Sequence, residues 1–76
     1  MNDQDRPEMQ GVTSSSVSAI GYNETKQELW VEWDSGTTSV YSSVPHGVFQ
    51  DLQNAPSKGK YLQANVKRHY QHRYEQ

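Results

Sequence analysis

The run Gln27–Trp33, QELWVEW, constrains this chain more than any other stretch. Leu29, Val31 and Trp33 alternate with Glu28, Trp30 and Glu32, the two-residue period of a strand with one buried and one wet face. Asp34-Ser35-Gly36 follows, and Thr37–Tyr41 resumes β-branched character. A three-residue loop with Gly36 in the left-handed region closes a hairpin of this kind. The register that fits places Ser39 and Tyr41 on the core face with Leu29 and Val31. A slip of one residue would bury Thr38 and Val40 and expel Tyr41.

The flanks extend this hairpin. Thr13–Tyr22 reads as an earlier strand, and Asn23 opens the turn that follows. Beyond Tyr41 the period changes. Val44, Val48, Phe49 and Leu52 fall on one helical face, with Ser43 as the expected N-cap and Pro45 in the first turn. Pro56 ends that helix and Ser57 offers a second N-cap. Leu62, Val66 and Tyr70 then recur every fourth residue, which predicts a second amphipathic helix. The expected fold is α+β: a three-stranded antiparallel meander followed by two helices packed on one face, β-β-β-α-α. Residues 1–12 are polar and aperiodic and are expected to form a disordered arm, leaving 13–76 as a single domain.

A chain of 76 residues with 32% apolar content builds a thin core, so its eight aromatic residues must supply much of what is buried. The absence of cysteine excludes a disulfide framework, a thiolate zinc site and a cysteine nucleophile, and favours a cytoplasmic home. The opening MNDQDRPEMQ has no apolar h-region, and no run approaches the roughly 20 apolar residues of a membrane span. Neither a secretory leader nor a membrane partner is expected.

Charge is unevenly distributed. Residues 1–55 hold two cations against eight carboxylates, a net charge of −6, whereas residues 56–76 hold five against one, a net charge of +4. Such asymmetry is either a footprint for a polyanion or internal complementarity between a basic helix and an acidic sheet. The cations are Lys58, Lys60, Lys67, Arg68 and Arg73. Lys60 and Lys67 lie two helical turns apart, opposite Leu62 and Val66. Arg68 and Arg73 add planar donors suited to phosphate. Tyr61 and Tyr74 are candidates to stack bases, while Tyr70 continues the apolar stripe.

Catalytic motifs are missing. The chain has no nucleophile elbow, phosphate loop or dinucleotide fingerprint. Glu28 and Glu32 share a strand face but stand roughly 13 Å apart by strand rise, too far for one acid–base site. No enzyme, and so no small-molecule substrate, is expected. His69 and His72 have a helical i, i+3 spacing but lack a third ligand, so neither a metal nor any other cofactor is expected. Trp30 points away from Leu29, Val31 and Trp33, onto the face carrying the two glutamates. An outward tryptophan is typical of interface anchors; the other arrangement packs it on Val40 beneath the N-terminal arm or Lys26.

Taken together, Ala19-Ile20-Gly21-Tyr22, Val44-Pro45 and Ser57-Lys58-Gly59-Lys60-Tyr61, set in a pattern running from Ser15 to Tyr70, resemble the KTSC domain family. That module is named for its occurrence at the C-terminus of some lysyl-tRNA synthetases and is also found alone in small bacterial and phage proteins. The family's central Tyr-x-Tyr falls here on Ser39-Val40-Tyr41, so its first tyrosine is replaced by Ser39, and Gln63 stands where the family often has Asn. The resemblance implies a module without a synthetase catalytic domain, and nucleic-acid binding by association with a tRNA enzyme. The expectation is therefore a non-enzymatic module that binds RNA or single-stranded nucleic acid through Lys58, Lys60, Tyr61, Lys67, Arg68, Arg73 and Tyr74. The alternative is a protein-interaction or homodimerisation module using Trp30, Glu28 and Glu32.

Overall fold

Pairing across Asp34–Gly36 sets the centre of the molecule. The computed structural model describes residues 6–75. In chain order the elements are β1 (Gln10–Gly11), β2 (Val17–Asn23), β3 (Glu28–Trp33), β4 (Thr38–Tyr41), α1 (His46–Asn54), α2 (Lys58–Asn65) and β5 (His72–Glu75). Leu29 stands opposite Tyr41, Trp30 opposite Val40 and Val31 opposite Ser39, the register that the alternation predicts. Gly36 takes φ 96° and donates its N–H to the Trp33 carbonyl at 2.9 Å. A side chain is disfavoured at that angle, so glycine closes the loop without strain.

The general class is α+β, but the sheet has five strands rather than the expected three, ordered β1-β2-β3-β4-β5 and antiparallel throughout. Both additional strands lie at edges. Gln10 and Gly11 pair with Ile20 and Ala19, although residues 6–12 were expected within a disordered arm; residues 1–5 of that arm lie outside the described residues. His72–Glu75 pairs with Tyr41–Thr38, where the fourfold spacing predicts the tail of a helix. Edge strands whose side chains are largely exposed need no apolar alternation, because backbone pairing alone holds them. Periodicity cannot reveal them.

The second helix ends earlier than its stripe. Its last residue is Asn65, and Val66 caps it with φ −120° and ψ −51°. Turns carry the chain onward, with His69 and Tyr70 donating their N–H groups to the Val66 carbonyl. Tyr70 thus reaches the core from a turn and not from a helix. The start of this helix is as expected: the Ser57 hydroxyl accepts the Lys60 N–H at 3.3 Å. The start of α1 differs, since Pro45 is the N-cap and no side chain caps it. Ser43, expected in that role, sits at φ 58°, which directs the chain into a bend instead.

Both helices cover one face of the sheet, as expected. Ile20, Leu29, Val31 and Tyr41 meet Val44, Leu52, Leu62 and Val66 there, all within 1% of complete burial. On the opposite face the N-terminal segment crosses Gly21, where a Cβ would lie 2.8 Å from the Glu8 carbonyl and 2.6 Å from Met9 Sδ. Among the described residues no helix is long and apolar enough to cross a membrane.

Candidate nucleic-acid interface

α2 and the turn after it present an exposed cationic surface. On α2, Lys60, Gln63 and Ala64 lie at intervals of three and four on the side away from the buried Leu62, and Lys67 joins them from the turn that follows the helix. With Arg68 they line a groove of about 800 Å³. Gln63 and Ala64 carry no charge, so the cations beside them meet no opposing carboxylate in the groove lining. Among the described residues no carboxylate pairs with Lys60, Lys67 or Arg68. All three residues are exposed.

Two other predicted cations are engaged elsewhere. Lys58 Nζ donates to the carbonyls of Gln53 at 3.0 Å and Ala55 at 2.8 Å, a cation placed on the C-terminal carbonyls of α1. Arg73 stands on β5 with its side chain on the outer face of the sheet. Its Nη1 and Nη2 reach Glu28 at 3.0 and 3.5 Å, and its Nε reaches Glu75 at 2.8 Å. Hydrogen bonds to Glu28, then to Glu75, raise the pKa of this guanidinium. The sequence places Arg73 on a basic helix; strand pairing turns it away from Lys60 and Lys67.

The predicted tyrosines also separate. Tyr61 packs against the core edge, and burial raises the pKa of its hydroxyl, with Asp51 and Tyr70 adding to the rise. It does not line the groove. Tyr74 is 66% exposed and belongs to a second concavity of about 600 Å³, lined by Trp33, Ser39, Tyr41, Lys67 and His72. Lys67 borders both concavities, and its Nζ lies 5.5 Å from the centre of the Trp33 ring. Trp33 Nε1 donates to Ser39 Oγ at 2.9 Å. Sequence reasoning missed Trp33, Tyr41 and His72 as site residues, because β5, which completes the concavity, carries no periodic signal.

The alternative site residues occupy the outer face. Trp30 does face away from the helices, yet it is only 3% exposed. The guanidinium carbons of Arg6 and Arg73 lie 5.3 and 6.0 Å from its ring, and it pairs with Val40. Glu28 is held by Arg73, and Glu32 pairs across the hairpin with Thr38. His69 and His72 do not share a helix face, since one lies in a turn and the other in β5.

Comparison with known proteins fits this architecture. The sequence profile of the KTSC domain matches residues 13–70. The chain is 44% identical over 62 residues to a lysine–tRNA ligase of Nostoc sp., covering 82% of this chain but 11% of the ligase. It is 41% identical over 59 residues to a protein of Tsukamurella paurometabola, covering 78% of this chain and 88% of that one. A crystal structure of a KTSC domain protein from Yersinia pestis superposes with a TM-score of 0.86 at 28% identity, covering 91% of this chain and 97% of the other.

Proposed function

The chain belongs to the KTSC domain family, and from that premise we propose that it is a non-enzymatic module that binds RNA or single-stranded nucleic acid. One observation carries the reading: Lys60, Lys67 and Arg68 line a single groove with no carboxylate partner among the described residues. Cations left free in one groove can neutralise successive phosphates, and the counterions released make such binding favourable at low salt. Similarity to part of a lysine–tRNA ligase supports RNA as the polyanion. The ligase activity itself is not carried over, because the chain corresponds to about a tenth of that enzyme's length.

The reading differs from a simple count of basic residues. Lys58 and Arg73 hold internal carbonyls and carboxylates, so three cations face the ligand. Neutralising about three phosphates of a single strand gives a log–log salt slope of about −2. Fluorescence anisotropy with labelled RNA and DNA oligomers, single-stranded and duplex, measures it. Lys60→Glu combined with Lys67→Glu is expected to weaken binding by about 100-fold or more, taking roughly tenfold for each reversed contact. Absence of binding at about 50 mM salt, where phosphate contacts are strong, would refute the reading.

A further inference from the structure

We propose that the concavity beside the basic groove is a nucleobase-binding cleft, which takes one unpaired base of the strand whose phosphates lie along Lys60, Lys67 and Arg68. The proposal rests on the nucleic-acid reading of that groove. Three neighbouring strands build the cleft: Trp33 comes from β3, Ser39 and Tyr41 from β4, and His72 and Tyr74 from β5. Register brings them together, since Tyr41 stands opposite His72 and Ser39 opposite Tyr74. The concavity is about 600 Å³, within the range of sites that bind one small ligand.

Four of its lining residues carry aromatic rings, with the Ser35 and Thr37 hydroxyls at the rim. Trp33 Nε1 is already occupied by Ser39 Oγ at 2.9 Å, which fixes the indole plane and leaves its face for stacking. Ser39 is 3% exposed and small, so the space between Trp33 and Tyr74 stays open where a bulkier residue would fill it. His72 lies 5.1 Å from Tyr74, nearly perpendicular to it, and 5.4 Å from Tyr41. Tyr74 is the one large hydrophobic residue left strongly exposed among those described. A tyrosine standing in water beside a cleft gains apolar contact when a base enters.

Lys67 joins the two sites. Its ammonium rests 5.5 Å from the centre of the Trp33 ring, a contact of modest strength at an exposed position. A base sliding onto the indole displaces that ammonium toward the phosphate of the same nucleotide, so one movement serves both contacts. Every base has a π-face, so the cleft tolerates sequence variation. A base paired and stacked within a duplex cannot enter without being unstacked, so the cleft favours single strands.

The test compares a labelled oligouridine with an abasic phosphodiester of the same length at low salt, on the unaltered chain, Tyr74→Ala and Lys60→Glu. The oligouridine is expected to bind about tenfold tighter, the effect of stacking one base. Tyr74→Ala should reduce that ratio to about two, and Lys60→Glu should weaken both ligands while preserving the ratio. On the unaltered chain, uridine monophosphate should quench tryptophan fluorescence whereas ribose phosphate should not, a readout that needs no variant. Equal affinity for the two oligomers, no quenching, or a ratio insensitive to Tyr74→Ala overturns the cleft while leaving the groove intact. Failure of both oligomers to bind overturns cleft and groove together.

Discussion

Arg73 holds two carboxylates at once, Glu28 through its terminal nitrogens and Glu75 through Nε. The Glu28 side chain is only 13% exposed beneath Arg73, so removing Arg73 takes away both its charge partner and its hydrogen-bond donors. Arg73→Ala is expected to destabilise the fold by about 1–3 kcal/mol, read by urea denaturation. Arg73→Lys should recover only part of this, because an ammonium cannot fork across both oxygens. Neither change is expected to alter oligonucleotide affinity by more than about twofold where the folded fraction is held constant. Tyr22 illustrates the same principle at a hydroxyl. Its O–H donates to the Val44 carbonyl at 2.5 Å and its ring stacks on Phe49 at 5.3 Å, tying the sheet to the start of α1.

At the scale of elements, the N-terminal segment depends on one missing side chain. Gly21 lets the Glu8 carbonyl and Met9 sulfur lie against β2 at distances a Cβ would not allow, and that segment brings Arg6 over Trp30. Gly21→Ala should therefore release the segment without dissolving the sheet. The expected signs are faster proteolysis within residues 6–10 and greater acrylamide quenching of tryptophan, with a stability loss of about 1 kcal/mol. The opposite edge behaves differently. Deleting residues 71–76 removes β5 and with it both the cover of the β4 edge and the Arg73–Glu28 fork. An uncovered edge strand invites pairing with another chain. Self-association detected by light scattering, with melting lowered by about 4–8 °C per kcal/mol lost, is the expected outcome; a monomer of unchanged stability would show that β5 is dispensable.

For the whole molecule, three tyrosines link stability to alkaline pH. Burial raises the pKa of Tyr41, opposed by its hydrogen bond to Ser39, and burial likewise raises Tyr22 and Tyr61. A raised pKa in the folded state means the unfolded chain loses these protons first. The associated stability is fully present below about pH 10, the ordinary tyrosine value, and is lost as pH rises through the folded values. Melting temperature should fall from pH 9 to pH 11, and Tyr41→Phe should flatten that fall. A melt as steep in the variant as in the unaltered chain would remove Tyr41 from this account.

The alternation Leu29-Val31-Trp33, the glycine loop and the stripe through Leu52 and Leu62 were legible because each records a face that must leave water. A period of two or of nearly four is the imprint of that demand, so the hairpin register and the covered side of the sheet follow from the sequence alone. The cations Lys60, Lys67 and Arg68 were legible as residues. Which cations stay free was not, because Lys58 and Arg73 find partners through a helix end and a strand pairing that no local pattern encodes. The edge strands escaped for the same reason, since backbone hydrogen bonds hold Gln10–Gly11 and His72–Glu75 whatever their side chains. With β5 hidden, the cleft of Trp33, Tyr41, His72 and Tyr74 was hidden too. Sequence by itself determined the faces of the elements through their burial; only tertiary structure decided which edges meet, because edge pairing joins backbones and leaves no mark on composition.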